Sequence, residues 1–356
     1  MHTILNDVFL YRSVSSMSMW YSFGFLAFGS ILVQIITGFF LACYYEAGAD
    51  WAFDSLQFVT REVKFMWLTR FVHANVASWV FFFVYLHIAK ALLFGSFRSY
   101  KEAMWLIGTI ILFLLLLVGF SGYSLVWGQM SYWALTVITN LVTVIPLYGT
   151  DLLEWIWGNS VLTSYSLRRF YSLHFILPFV ILALGLVHMV MGHKSYTQHM
   201  FYIHTTEFDR SSFGYSSLVK DIYSMWFVSI FIAALLFLDT TRLMCPDNWL
   251  YAMAFVTPVS IEPEWYFLPY YALLRSVPHK LLGFLLLMLG VVALAILSLV
   301  SSYDNCSAHV HRTILVSYMI NFVYLGYMAA QPMGFPYIDV CLLLVWIHFT
   351  ALLVFL

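Results

Sequence analysis

Residues 70–87 read RFVHANVASWVFFFVYLH, and residues 169–188 read RFYSLHFILPFVILALGLVH. Each stretch is largely apolar, and each carries two histidines fourteen residues apart. These are His73 with His87, and His174 with His188. On an α-helix fourteen residues is just under four turns, so both histidines of a stretch face nearly the same way, about 21 Å apart. The pattern predicts two long helices, each with a histidine-bearing face.

The composition places the chain in a membrane. Of its 356 residues, 63% are hydrophobic and 9% are charged, whereas soluble proteins carry about 25% charged residues. The formal net charge is −1, so no charge excess indicates a nucleic-acid partner. The four cysteines are scattered without metal-ligand spacing and are interpreted as buried apolar residues.

A membrane-spanning helix needs about 20 mostly apolar residues, and the sequence offers eight such segments. We therefore predict an all-α integral membrane protein with eight transmembrane helices. The predicted spans are 23–45, 70–94, 104–126, 170–192, 222–238, 281–300, 313–330 and 337–356. Of the two long connections, 127–169 and 239–280, the first contains Trp133, Trp155 and Trp157 and predicts short helices at the membrane interface.

An even number of spans puts both termini on one side, called the N side below. Lys and Arg are divided evenly between the two sides, so they leave the orientation open. The first sixteen residues resemble neither a secretory signal nor an import presequence. If the protein is organellar, we expect it to be made inside the organelle.

The direction of each span decides which histidines can meet. The second and fourth spans run the same way, so His73 lies at the depth of His174, and His87 at the depth of His188. Each level offers two facing imidazoles, which is the arrangement for bis-histidine ligation of haem iron. A lone histidine in a span could instead be structural. We predict a four-helix haem-binding region at 1–210 and a C-terminal region at 211–356.

Glycines in the first and third spans repeat the same spacing. The pairs are Gly24 with Gly38, and Gly108 with Gly122. Because these spans run opposite to the histidine spans, Gly38 and Gly122 fall at the level of His73, and Gly24 and Gly108 at the level of His87. A residue without Cβ lets a bulky group approach the backbone. Small-residue helix packing is the alternative, but the agreement of depths favours clefts for two haems.

Three cations lie close to the histidines in sequence. Arg70 precedes His73 by three residues, Arg169 precedes His174 by five, and Lys90 follows His87 by three. They could neutralise haem propionates. The alternative is snorkelling to the interface, and for Lys90 both interpretations stay open.

Several motifs resemble one family. They are Ala74-Asn75 after the first histidine, Trp127-Gly128-Gln129-Met130-Ser131, the segment Thr136–Asn140, Glu154-Trp155-Ile156-Trp157-Gly158, the segment His174–Phe179 and Pro263-Glu264-Trp265-Tyr266. Over nearly its whole length the chain resembles the mitochondrial-type cytochrome b family of respiratory complex III. The resemblance implies an electron-transfer subunit that carries two haem b groups and uses ubiquinol and ubiquinone.

The resemblance also implies two quinone sites. Quinol would be oxidised beside the low-potential haem of His73 and His174, in a pocket formed by residues 123–133, including Tyr123, and by the loop Pro263–Tyr266. Glu264 would accept a proton there, with Tyr266 as its catalytic neighbour.

Quinone would be reduced on the N side, beside the high-potential haem of His87 and His188. His193, Lys220 and Asp221 are the candidates at that site, because quinone reduction consumes protons and histidine changes charge near neutral pH. The alternative for His193 is a loop residue in water, and we favour the functional interpretation.

The sequence departs from the family pattern at three positions. Val126 stands where the family usually has proline, and Ala134 where many members have glycine. The methyl group of Ala134 would narrow the quinol pocket and weaken inhibitors that press on that wall, relative to an Ala134→Gly variant. Pro269 follows the loop closely and is expected to shift it.

The implied mechanism splits the electrons of quinol between two acceptors. One electron would pass to a Rieske iron–sulfur protein and the other across the membrane to quinone. The chain has no CxxCH motif and no cluster-ligand spacing, so that protein and a c-type cytochrome would be partners within a dimeric complex of the mitochondrial inner membrane. Two other classes stay open: a two-haem membrane reductase, which would lack the Pro-Glu-Trp-Tyr loop, and a transporter or channel that relays protons through histidines.

Overall fold

The computed structural model describes residues 10, 12–14, 18–97, 101–194, 210–214, 216–300, 308–332 and 334–355. Helices dominate this part of the chain. They are α1 (Phe23–Ala42), α2 (Ala52–Arg61), α3 (Met66–Leu93), α4 (Glu102–Ser124), α5 (Gln129–Asn140), α6 (Gly149–Trp157), α7 (Ser164–Lys194), α8 (Ser217–Leu238), α9 (Leu268–Arg275), α10 (Lys280–Val300), α11 (Ala308–Ala329) and α12 (Tyr337–Phe355). Short 3₁₀ helices lie at Met19–Tyr21, Leu141–Val144 and Pro246–Trp249.

Among the described residues, 7 helices are long and apolar enough to cross a membrane. They are α1, α3, α4, α7, α8, α10 and α12. The eighth predicted span, 313–330, falls on α11, which has 22 residues but is not one of the seven. It begins Ala-His-Val-His-Arg from Ala308 to Arg312, and its most apolar stretch is less apolar than those of the seven.

The connection before α7 forms the short helices α5 and α6, in the region where the tryptophans predict them. The connection before α10 forms a 3₁₀ turn and α9. Pro269 lies in the first turn of α9, a position that suits proline because the first N–H groups of a helix have no partner within it.

The described residues also contain one short pair of strands, which the all-α prediction did not include. Arg12–Val14 (β1) pairs antiparallel with Arg210–Ser212 (β2). A buried hydrogen bond of 2.7 Å joins the hydroxyls of Ser13 and Ser217, which ties the first strand to the start of α8. Strands of three residues are too short for a periodic pattern, so the sequence gives no signal for them.

The long helices pack in two connected groups. In the first, α1 contacts α3 and α7, and α4 contacts α7, so the histidine-bearing helices α3 and α7 lie beside the glycine-bearing helices α1 and α4. In the second, α9 contacts α10 and α11, and α11 contacts α12. The groups meet where α10 packs on α4, and there the indole of Trp105 donates a 2.6 Å hydrogen bond to the carbonyl of Leu294.

Candidate functional site

The four histidines of α3 and α7 come together in two pairs. The ring centroids of His73 and His174 are 6.1 Å apart, and those of His87 and His188 are also 6.1 Å apart. This is the pairing that the helix directions predict. Imidazole nitrogens bind transition metals at about 2 Å, so a metal held in line between two rings would put their centroids about 6 Å apart. Both pairs therefore have the donor atoms and the spacing that would hold a haem iron.

On α7, both histidines are oriented by backbone carbonyls of α4. The Nδ1 atom of His174 lies 3.0 Å from the carbonyl of Val118, and that of His188 lies 3.0 Å from the carbonyl of Met104. Because a carbonyl only accepts hydrogen bonds, each Nδ1 carries the proton. The lone pair of each neutral ring is thereby left on Nε2, as a metal ligand requires.

On α3, His73 is oriented by α1 instead. Its Nδ1 lies 2.9 Å from the hydroxyl of Thr37, and that hydroxyl donates its own hydrogen to the carbonyl of Val33 at 2.7 Å. The hydroxyl oxygen therefore accepts from His73, which again leaves Nε2 with the lone pair. The amide of Gln34 holds the backbone carbonyl of His73 at 2.8 Å.

Each of the four spaced glycines faces one of the histidines. A Cβ at Gly24, Gly38 or Gly108 would lie 3.0 to 3.1 Å from a ring carbon, and a Cβ at Gly122 would be closer still. The facing pairs are Gly24 with His87, Gly38 with His73, Gly108 with His188 and Gly122 with His174. Since such contacts are tighter than nearly all Cβ contacts, the absence of a side chain at these positions makes the room for the rings.

One cavity of about 270 Å³ connects the first histidine level to the loop Pro263–Tyr266. Its wall includes His73 and His174 together with Tyr123, Glu264 and Tyr266. The chain thus brings a pair of metal-ligand candidates and a carboxylate to the wall of one cavity.

Arg70 lies in the wall of this cavity and is 6% exposed. Its guanidinium donates to the hydroxyl of Thr60 at 2.6 Å and to the carbonyl of Leu56 at 3.2 Å, and it lies 4.9 Å from the ring of Trp249. Within the described part of the chain it forms no ion pair. A buried cation without a carboxylate partner is costly, so the site suits an anionic group.

The other two predicted cations are held differently. The guanidinium of Arg169 donates to the carbonyl of Trp155 and approaches Gly158 closely. Gly158 ends α6 in a left-handed conformation with φ of +72°, which favours glycine. The ammonium of Lys90, one turn beyond His87, lies 4.3 Å from the centre of the Tyr21 ring.

Glu264 is a titratable carboxyl in the wall of the cavity. Burial raises the pKa of its carboxyl from 4.5 to about 7, while the hydroxyl of Tyr123 donates a hydrogen bond that opposes the rise. Burial also raises the pKa of Tyr266, and the negative charge of the nearby Glu264 raises it further. A carboxyl with a pKa near neutrality accepts and releases protons readily at physiological pH.

The three departures from the family pattern lie in different places. Val126 lines the cavity. Ala134 is 4% exposed on α5 but is not part of this cavity's lining, so the expectation that its methyl narrows a quinol pocket stays a prediction. Pro269 is buried in α9, where its ring lies against Gly326.

On the N side, Asp221 lies in the first turns of α8. Its carboxylate accepts a hydrogen bond from Ser22, two residues before Gly24, so it lies close to the His87 level. Lys220 is exposed. The backbone of His193 belongs to the last turn of α7, but its side chain lies outside the described residues.

Sequence reasoning missed several residues of the site. Thr37 and Ser22 are polar residues one and two positions before the spaced glycines Gly38 and Gly24. Their place beside these glycines is the sequence feature that could have predicted them. Cys245 and Trp249 reach the cavity wall from the connection before α9. No local pattern points to them, because their place depends on how that connection folds back.

These helices and histidine pairs define a multi-pass membrane protein of the haem-binding class. Two family models match the chain: Cytochrome b/b6/petB over residues 9–196 and Cytochrome b(C-terminal)/b6/petD over residues 251–349. The chain belongs to the cytochrome b family, and its role is electron transfer.

Individual relatives agree with the family models. Cytochrome b of Dictyostelium citrinum is 38% identical over 99% of this chain and 93% of that protein. Cytochrome b of Rickettsia bellii is 39% identical over 93% of this chain and 84% of that protein. A solved chain of a hyperthermophilic respiratory Complex III superposes with a TM-score of 0.91 at 26% identity, covering 100% of this chain and 95% of that one.

Proposed function

We propose that the chain is the electron-transfer subunit of respiratory complex III, and that it oxidises quinol beside His73 and His174 and reduces quinone beside His87 and His188. The observation that carries the proposal is the pair of histidine levels on α3 and α7, of which the first opens into the cavity that holds Glu264. A transporter that relays protons through histidines has no need for four glycines placed against the rings.

The two histidine pairs would hold two haem b groups, a low-potential one at His73 and His174 and a high-potential one at His87 and His188. Bound haem supplies a one-electron carrier at each level. The chain's own residues fix the rings of His73, His174 and His188 through Nδ1 and so leave their Nε2 atoms for iron. The four spaced glycines leave room for the rings. Arg70, Arg169 and Lys90 are the cations that would face propionates.

At the quinol site, Glu264 would take the proton that quinol loses as it is oxidised. Burial holds its pKa at about 7, so its carboxylate form is available at neutral pH and can accept a proton from a quinol hydroxyl. Tyr123 donates to the carboxylate and would keep it directed into the cavity, and Tyr266 closes the wall beside it.

At the quinone site, Asp221 and His193 would supply the protons that quinone takes up, and Lys220 would lie at the entrance to the site. The bond from Ser22 to Asp221 supports this assignment, because it holds the carboxylate near the His87 level. The site would face the side of the membrane that carries the N-terminus.

The division of the chain follows the same scheme. Residues 1–210 would form the four-helix haem-binding bundle, and residues 211–356 the C-terminal region with the Pro263–Tyr266 loop. With α11 as the eighth span, both termini lie on one side. A Rieske iron–sulfur protein would take one electron from each quinol and a c-type cytochrome would receive it, while the other electron would cross the membrane to quinone, in a dimeric complex of the mitochondrial inner membrane.

The test separates single from repeated turnover of ubiquinol in the purified complex. In a His87→Asn variant, the first oxidation of quinol should persist, because the His73 level is intact, while steady reduction of the c-type partner should stop. A His73→Asn variant should lose both. Steady turnover equal to the unmodified complex in either variant would contradict the proposal.

A further inference from the structure

One face of α3 holds the loop that carries Glu264. The indole N–H of Trp265 donates to the hydroxyl of Ser78 at 3.1 Å. The ring of Tyr266 is stacked on Phe81, with centroids 4.0 Å apart and planes 6° apart. The hydroxyl of Tyr85 donates to the backbone carbonyl of Tyr266 at 2.5 Å. Side chain and backbone of the two residues that follow Glu264 are therefore fixed by one helix.

The three residues of α3 that contact the loop have a spacing that puts them on one face of the helix. Ser78, Phe81 and Tyr85 are three and four residues apart, so they lie on one face of the helix, one above the other. The same helix carries His73 and His87. A rigid element therefore relates the loop to both histidine levels.

Helices α4 and α9 also contact the residues that join α3 to the loop. A Cβ at Gly119 of α4 would lie 3.2 Å from the ring of Phe81 and 3.4 Å from that of Tyr266, so the stack fits against a glycine. A hydrogen bond joins Tyr85 to Tyr270 of α9. Because the hydrogen of Tyr85 goes to the Tyr266 carbonyl, its oxygen accepts from Tyr270.

We propose that Ser78, Phe81 and Tyr85 are positioning residues for quinol oxidation, which hold Glu264 at a fixed depth relative to the His73 level and directed at Tyr123. The inference rests on the proposed role of Glu264 as proton acceptor. None of the three touches the carboxylate chemically; they act through the backbone and side chains of the next two residues. A displacement of about 1 Å at a reacting group is enough to cost much of its rate.

The titratable and charged groups around Glu264 do not include these three residues. Tyr123 faces it from α4, Cys245 from the connection before α9, and Tyr266 from its own loop, while Asp247 interacts with Tyr123 and Cys245. A change at Tyr85 or Ser78 therefore leaves every neighbouring charge in place and alters only where the carboxylate lies.

The experiment uses Tyr85→Phe and Ser78→Ala in the assembled complex, with kcat and KM for ubiquinol measured between about pH 5.5 and 9. For Tyr85→Phe we expect kcat to fall about tenfold, a displaced midpoint of the pH–rate profile, and an unchanged haem spectrum. Ser78→Ala should act in the same direction with a smaller loss. Tyr318→Phe is the matched control, because this buried tyrosine of α11 packs on His348 rather than on the loop.

An unchanged kcat and pH–rate profile in Tyr85→Phe would overturn the inference. So would a loss of haem or of thermal stability with the midpoint unmoved, because that result indicates a structural role alone. A parallel Glu264→Gln variant separates a failure of the positioning role from a failure of the proposed role of Glu264. If Glu264→Gln is slow and Tyr85→Phe is normal, only the positioning role fails; if Glu264→Gln is normal, the proposed role of Glu264 itself fails.

Discussion

The two histidine levels have the same ligands and the same ring spacing, but they differ in what surrounds them. The His73 and His174 level opens into a cavity that also holds Glu264 and the buried Arg70. The His87 level lies near Lys90, whose ammonium rests on the Tyr21 ring, and near Asp221 at the start of α8. The two levels thus present the same histidine pair with different acid–base groups beside it, and the proposed division into quinol oxidation and quinone reduction depends on that difference.

The two histidine levels also differ in how closely the spaced glycines approach the histidine rings. A Cβ on Gly122 would be nearer to its histidine than a Cβ on any of the other three spaced glycines. The level of His73 and His174 is thus the tighter one on its α4 side, and it is also the one that borders the cavity. This combination suits a site that holds a rigid cofactor next to an exchangeable substrate.

Among the changes that test the difference between the two histidine levels, Glu264→Gln is expected to have the largest effect, a loss of kcat for quinol oxidation. Below pH 7 the carboxyl of the native chain is mostly protonated and cannot accept, and above pH 7 it can, so the rate of quinol oxidation should rise through about pH 7. The variant should lose this rise and about a hundredfold in kcat. Glu262→Gln, two residues away and exposed, should retain both, and a pH-dependent rate in Glu264→Gln would count against the assignment.

A smaller loss is expected from Asp221→Asn, which acts on the other level. Removing this carboxyl, the proposed proton donor, should slow quinone reduction about tenfold and leave the first oxidation of quinol unchanged. Asp239→Asn, at the exposed end of α8, is the control. Equal slowing of both half-reactions would show that Asp221 does not distinguish the levels.

A third change tests the glycine clefts. Gly38→Ala puts a methyl group 3.0 Å from the His73 ring, so the ring must shift and the complex should retain less haem at that level, severalfold less than at the other. Gly185→Ala introduces a methyl at an ordinary 3.4 Å contact with Phe28 and should retain both haems. Haem content and the absorption spectrum of the purified complex measure the effect.

The smallest effect is expected from Arg70→Gln. Loss of a buried positive charge disfavours the addition of an electron nearby, so the reduction potential at the His73 level should fall by about 30 mV, roughly a threefold change for one electron. The potential at the His87 level should stay within error. Arg61→Gln removes an exposed cation of α2 and should change neither potential in a redox titration.

The sequence predicted the histidine and glycine contacts because both depend on helix geometry alone. A spacing of fourteen residues and the direction of each span were enough to pair Gly38 with His73. The contacts of Glu264 with Tyr123 and of Tyr85 with Tyr266 could not be predicted in this way. They join residues more than a hundred positions apart, and they depend on how the connection between α8 and α9 folds over α3.

The least predictable elements are those that local polarity does not distinguish. The strand pair of Arg12–Val14 and Arg210–Ser212 is too short to leave a pattern, and its stabilising contact between Ser13 and Ser217 is between residues common in any loop. The positions of Val126 and Ala134, eight residues apart, differ in their access to the cavity because α5 begins between them.

The most direct test of the two-level account is the haem content of the purified complex, measured from its reduced-minus-oxidised spectrum. The account predicts two haem b groups per chain, one remaining in His87→Asn, and two in His348→Asn, which removes a buried histidine outside both pairs. A chain without a haem signal, or one that keeps two haems in His87→Asn, would contradict it.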